Sequence, residues 1–322
     1  MKWGVFLALL AGLVAAVWVI WAVGFGAVLG AVARAGLGGL ALLCLYAALI
    51  LLTAALAWVA LLPPEHRRSL HHFYIARLVR DSIADISPFS PVGGMVAAAR
   101  LMILKGMNGA YASASVAADA TTEAMAQIAF LAFGVTIAVL HLGGIVESGW
   151  LLQSLAAVLL LGIPGIIGLI ALQKRGSAFI EKLALRFFPN ADHGVSFRDA
   201  IHEIYEAPGR LAVSATWHLV AWVGSGIGTW IAFYLVGVEI SFLDALALEA
   251  LLCTLRSIAV FVPAAIGVQE GGYAALAQLF GLPAEAGIAV SLLKRAREIV
   301  LGVPALIYWQ AVEGRTALRS AP

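Results

Sequence analysis

Between Phe261 and Gly272 the chain reads Phe-Val-Pro-Ala-Ala-Ile-Gly-Val-Gln-Glu-Gly-Gly. The stretch lies deep in apolar sequence, yet it carries Pro263, Gly267, Glu270, Gly271 and Gly272. Proline has no N–H to donate and glycine is a poor helix former, so one straight helix through it is not expected. Irregular backbone at membrane depth survives only inside protein or beside a watery cavity. In transporters, matching interruptions in the two halves of a chain point to the binding site. Ser87-Pro-Phe-Ser-Pro-Val-Gly-Gly94 is the matching interruption, with Pro91, Gly93 and Gly94. From Pro91 to Pro263 the offset is 172 positions, about half the chain.

Composition agrees with a membrane setting. The 322 residues are 62% hydrophobic and 12% charged, with mean hydropathy +0.98. A soluble core of this length needs far more charge to cover its surface. The formal net charge of +2 names no partner, and nothing points to nucleic acid. Cys44 and Cys253 fall in apolar runs and read as small core residues, not as a disulfide or metal pair. Met1-Lys2-Trp3 opens a run too long for a cleaved signal peptide, so it reads as an uncleaved first span. No appended soluble domain is expected at either end.

About six full spans follow from the apolar runs: 4–26, 37–62, the second half of 109–140, 150–172, 212–237 and 284–312. Arg34 marks a loop, and Pro63-Pro64 ends the second span. Pro164-Gly165 is a kink site, and Gly224-Ser-Gly-Ile-Gly228 is a close-packing face. Trp3, Trp18, Trp21, Trp58, Trp150 and Trp309 lie near span ends and read as interfacial anchors. Residues 173–211 form the one long hydrophilic segment, expected as amphipathic helix on the cytoplasmic membrane surface. Lys and Arg gather there and at Arg67-Arg68, and are missing near 141–149 and 238–242. That puts both termini in the cytoplasm. Residues 73–140 and 243–312 then become two broken units that start from opposite sides. The expected fold is all-α: a single polytopic transmembrane domain over 1–322 with two inverted, Pro/Gly-broken re-entrant helix pairs.

Charge inside these units narrows their use. The first holds Arg77, Arg80, Asp81, Asp85, Arg100, Asp119 and Glu123; the second holds Glu249, Arg256, Glu270, Lys294, Arg295, Arg297 and Glu298. One such charge at the centre of a lipid-facing helix costs roughly 2.5–3.5 kcal/mol, so these groups must pair, face water or lie near the interface. Glu123 follows Pro91 by 32 positions and Arg295 follows Pro263 by 32, so equivalent places carry opposite sign. Two meanings stay open: a cavity for a headgroup or coupling ion, or ion pairs that only hold the halves together. On the first, Glu270 and Arg297 form one site faced by Glu123, with Arg295, Arg256 and Asp85 beside it. Pro91, Gly93, Gly94, Pro263, Gly267, Gly271 and Gly272 shape that site. No phosphate loop, His-Glu-x-x-His, Cys-x-x-Cys or Asp-x-Asp motif is present, and no cofactor or metal is expected. His71-His72 reads as a solvated interfacial pair, and His218 has no partner at useful spacing.

These residues resemble a known family. Pro263-Ala-Ala-Ile-Gly-Val-Gln-Glu-Gly-Gly272, Gly281-Leu-Pro283, Leu293-Lys-Arg-Ala-Arg297 and Pro304 are similar to the Pro-Gly-Gly-x-Gly-x-x-Glu signature and following arginine helix of the lysylphosphatidylglycerol synthase transmembrane-region family. The first unit is similar to that family's earlier Pro-x-x-x-Gly-Glu turn, with Glu123 at the place of a glutamate on the next helix. Gly94 stands where many members have glutamate. The wording is similar to the branch associated with hopanoid biosynthesis in bacteria. The resemblance implies a bacterial inner-membrane protein that handles lipid, without the soluble aminoacyl-transferase part of full-length synthases.

The expected activity is flippase-like movement of a lipid or hopanoid-type amphiphile between leaflets. Two rivals are an intramembrane enzyme that modifies a lipid headgroup and a non-transporting scaffold for lipid-biosynthesis enzymes. The enzyme reading lacks a complete catalytic set. Membrane lipid is the expected partner, and the sequence does not set the oligomeric state.

Overall fold

The computed structural model describes residues 25–86, 90–142, 149–175, 196–259 and 262–319. The expected first span, save its end, lies outside them with Trp3, Trp18 and Trp21, as does 176–195 of the hydrophilic segment. The described residues form ten α-helices and no strand. In chain order these are α1 Phe25–Leu61, α2 Leu70–Ile86, α3 Ser90–Leu104, α4 Gly109–Leu142 and α5 Gly149–Arg175, then α6 Phe197–Tyr205, α7 Pro208–Leu235, α8 Phe242–Ile258, α9 Val268–Leu279 and α10 Ala284–Arg319. Three of them, α1, α4 and α7, are long and apolar enough to cross a membrane. The chain is an all-helical polytopic membrane protein. Helix α10 is as long, at 36 residues, but carries Lys294, Arg295, Arg297 and Glu298.

Several local expectations change. Arg34 sits in α1, not in a loop; the helix is interrupted two residues later at Gly36, whose φ of 72° suits glycine. Trp58 is no interfacial anchor. It is fully buried, donates to Ser115 Oγ at 3.0 Å and stands edge-on to Phe73. The rings of His71 and His72 lie against each other, with centroids 3.9 Å apart. Of the hydrophilic segment, α6 is amphipathic and buries Phe197, Ala200, Ile201 and Ile204; the Asp199 N–H donates to Ser196 Oγ at its start.

Both interruptions are shorter in backbone than in sequence. Pro91, Gly93 and Gly94 lie inside α3, and Gln269, Glu270, Gly271 and Gly272 lie inside α9. Proline in the first turn loses no helix hydrogen bond, so Pro91 starts a helix rather than ending one. Glu270 starts the other: its Oε2 accepts the Gly267 N–H at 2.7 Å, the reaching-back half of a capping box. The second break proper is strained. Ala264 and Ala265 have φ of 52° and 48°, and Gly267 has 80°. Left-handed backbone costs a non-glycine residue roughly 1–2 kcal/mol.

The helices interlock in pairs. Each bound of α8 is the matching bound of α2 moved by 172 positions, from 70 to 242 and from 86 to 258. Half-helix α2 folds back along α3 and packs on α10; half-helix α8 packs on α9 and α4. Each unit's first half-helix therefore lies against the other unit's long helix. Helices α1 and α7, which precede the units, pack on each other, and likewise on the long helix of the opposite unit. Small residues allow the closeness: a Cβ on Gly226 would meet Leu246, and one on Gly224 would meet Ile50.

Candidate functional site

The polar face of α2 carries Arg77, Arg80, Asp81 and Asp85. Arg77 is 4% exposed and uses all three nitrogens: Nε donates to Asp81 Oδ2 and Nη1 to Asp119 Oδ2, each at 3.0 Å, and Nη2 to Glu123. Arg80, one turn on, donates to the same two α4 carboxylates, to Asp119 at 2.6 Å and Glu123 at 2.5 Å. Asp119 and Glu123 are four apart, so one helix face presents both. From α7, His218 Nε2 reaches Asp119 Oδ1 at 2.9 Å. A buried carboxylate stripped of such donors is uncompensated and costs several kcal/mol, so this cluster is a closed hydrogen-bonded unit.

The second unit reverses the signs. Here the half-helix α8 supplies the acid, Glu249, and α10 supplies the bases. Lys294 Nζ donates to Glu249 at 2.8 Å, Thr229 at 2.9 Å and the Tyr273 hydroxyl at 2.6 Å. Glu249 also accepts from Ser225 at 2.6 Å and from Thr229 and Tyr273, each at 2.7 Å. Arg295 turns toward the break: Nε donates to Glu270 and Nη1 to Glu298, each at 3.0 Å, and Nη2 to the Ala264 carbonyl at 2.7 Å. That last bond pins the strained backbone. The offset of 172 that relates α2 to α8 pairs Arg77 with Glu249 and Glu123 with Arg295.

Between the two clusters the half-helix ends meet. Arg256, in the last turn of α8, donates to Asp85, in the last turn of α2, at 2.7 Å. The carbonyl end of α2 favours a cation there. Arg297 faces the same space, with one bond of 3.4 Å to Glu298. These groups open on a cavity of about 410 Å³, walled by α1, α2, α4, α7, α8, α10 and the second break. Its size suits a small headgroup.

Four of the expected site residues line this cavity: Asp85, Glu123, Arg256 and Arg297. Glu270 and Arg295 stand behind the wall, and Glu270 pairs with Arg295, not with Arg297. The cause is helical phase: Arg295 and Arg297 lie about 200° apart around α10 at 100° per residue. Gly94 is explained by packing. A Cβ there would sit 2.4 Å from the Arg80 carbonyl oxygen, so α3 approaches α2 only through glycine. Arg77, Glu249 and His218 also line the cavity, beyond the residues expected from the sequence. The same 172 offset would have exposed Arg77 and Glu249; His218 gave no signal, since its partner Asp119 is 99 positions away. Among the described residues no group of three His, Cys, Asp or Glu side chains is arranged to hold a metal ion.

No curated protein and no solved structure matches the chain. The sequence profile of the lysylphosphatidylglycerol synthase transmembrane region matches residues 5–305. That covers the first broken unit, the second as far as residue 305, the cavity and most of the rest of the chain, and the chain belongs to this family of the lysylphosphatidylglycerol synthase transmembrane region.

Proposed function

We propose that the protein moves a lipid or hopanoid-type amphiphile between the leaflets of a bacterial inner membrane. The observation that carries this is the charged cavity where the ends of α2 and α8 meet, walled by both units. A closed ionic core would have no such space. The two units act as inverted copies that rock about it, exposing the headgroup site to each side in turn. Arg67 and Arg68, at the α1–α2 connection, and the hydrophilic segment before α7 support a cytoplasmic position for that end. Arg256 and Arg297 hold the headgroup in a space lined by Asp85 and Glu123, and Glu270 and Arg295 hold the break that shapes its wall.

Purified protein in vesicles with an acyl-chain-labelled lipid tests this. Chemical quenching of outer-leaflet label should reveal faster exchange than in protein-free vesicles, and Arg297→Gln should return the rate toward background. Equal rates with and without protein would sink the reading. Conversion of the labelled lipid to a new species would favour headgroup chemistry instead.

A further inference from the structure

The charged groups on and behind the cavity wall are not equally engaged. Arg77 and Arg295 use all three guanidinium nitrogens, and Lys294 makes three hydrogen bonds. Arg256 and Arg297 each make one hydrogen bond to a described residue. A guanidinium carries five N–H donors, so both present free donors to the cavity. They act on one place: Asp85 bonds Arg256 directly and lies in the field of Arg297. Two guanidinium groups with free forks are the preferred chemistry for a phosphate.

The acids differ in the same way. Glu123 is held by two arginines, Glu298 by two, and Glu249 by Lys294 with three hydroxyls. Asp85 is held through Oδ1 by Arg256, one of the two free-forked arginines. Asp81 is held through one oxygen by an arginine that is fully engaged: Oδ2 accepts from Arg77 Nε, while Oδ1 has no hydrogen bond to a described residue. Its side chain is 35% exposed and lines the cavity. Asp81 lies one turn before Asp85 on α2, roughly 6 Å along the axis. A free carboxylate oxygen therefore belongs to the residue one turn before the carboxylate that Arg256 binds.

Charge balance completes the case. Leaving His218 aside, the cavity wall and its direct ion partners hold six acids (Asp81, Asp85, Asp119, Glu123, Glu249, Glu298) and six bases (Arg77, Arg80, Arg256, Lys294, Arg295, Arg297). A phosphate alone would add one uncompensated negative charge to this balanced, poorly hydrated interior. An ammonium at Asp81 cancels what the phosphate adds.

We infer that the cavity selects a compact zwitterionic headgroup, with its phosphate on Arg256 and Arg297 and its ammonium on Asp81. This rests on the lipid-handling reading, but binding tests it apart from movement. The full chain in detergent would be titrated with dihexanoyl phosphatidylethanolamine, dihexanoyl phosphatidylglycerol and glycerophosphoethanolamine. The ethanolamine lipid should bind about ten-fold tighter than the glycerol lipid, a difference of about 1.4 kcal/mol. Asp81→Asn should erase the preference and Asp81→Glu should keep it, while Arg297→Gln should weaken both lipids. Glycerophosphoethanolamine binding as tightly as the lipid would support the headgroup assignment and give the site to soluble headgroups. Equal affinity for the two lipids, or a preference that survives Asp81→Asn, would overturn it. Selective binding without any leaflet exchange in vesicles would remove the transport reading and leave the headgroup assignment standing.

Discussion

In the first broken unit the half-helix α2 supplies two arginines and the long helix α4 supplies the carboxylates that take them. In the second, α8 supplies the carboxylate and α10 the lysine and arginines. The difference has a physical use. Arg77 and Glu249 are equivalent by offset and line the same cavity. Had both units kept one sign, like charges would share that low-dielectric space, where repulsion is strong. Reversal lets two copies of one plan enclose a charged cavity with few unpaired ions. A second contrast lies in the breaks. The first hairpin is closed by Gly94 pressed on the α2 backbone, whereas the second holds left-handed alanines under Arg295.

The largest expected effect comes from breaking a closed cluster on one side only. Lys294→Met leaves Glu249 buried without its cation and should cost roughly 3–5 kcal/mol, read as a loss of folded yield or a much lower melting temperature. The double variant Lys294→Met with Glu249→Gln should recover most of that loss. If the single variant melts like the parent, the second cluster is not a closed ion pair and the sign reversal loses its structural meaning.

Gly94→Ala should come next. Its new Cβ would stand 2.4 Å from the Arg80 carbonyl oxygen, a backbone atom that cannot swing away. Overpacking of this kind costs roughly 1–3 kcal/mol, measured by thermal melting in detergent. Gly271→Ala is the matched control in the second unit. Nothing lies within 4 Å of its Cβ, and alanine is the better helix former, so it should melt at or slightly above the parent. Equal losses at both positions would mean that the two hairpins close alike.

Much of this plan was legible from residue order, and the illegible part has a common cause. The broken units, their spacing of 172 and the sign change at Glu123 and Arg295 all follow from position along one chain. So did Asp119 with Glu123, because helical spacing is local. What could not be read was which side chain answers which. The pairing of Glu270 with Arg295 rather than Arg297 depends on the phase at which α10 meets the break. The Trp58–Ser115 and His218–Asp119 bonds join helices 57 and 99 positions apart. Proline and glycine signalled that helices change there, but capping by Glu270 turned the last residues of the motif into a helix start.

The inversion proposed for the two units gives a prediction of direction rather than size. Lys105 ends the first hairpin and Leu282 ends the second. Single cysteines there, in a protein whose Cys44 and Cys253 are replaced by serine or alanine, should react with an impermeant maleimide from opposite faces of the membrane. Labelling from the same face would leave the sign-reversed plan without its inverted topology.

The smallest effect is expected at Glu270, the residue most prominent in the sequence. Its two oxygens serve the second break: one accepts from Gly267 N–H, the other pairs with Arg295. Glu270→Gln keeps an oxygen for the cap. Arg295 retains Glu298 and the Ala264 carbonyl, so no cation is stranded. With the side chain 20% exposed, the loss should be about 1 kcal/mol, a shift of a few degrees in melting. Leaflet exchange should persist, because Glu270 does not line the cavity. Glu123→Gln should behave oppositely. Glu123 is on the wall and holds both Arg77 and Arg80, so exchange should fall at least ten-fold, about 1.4 kcal/mol. An E270Q protein that melts normally yet moves no lipid would bring Glu270 into the site and erase the division between a wall that binds and a break that shapes it.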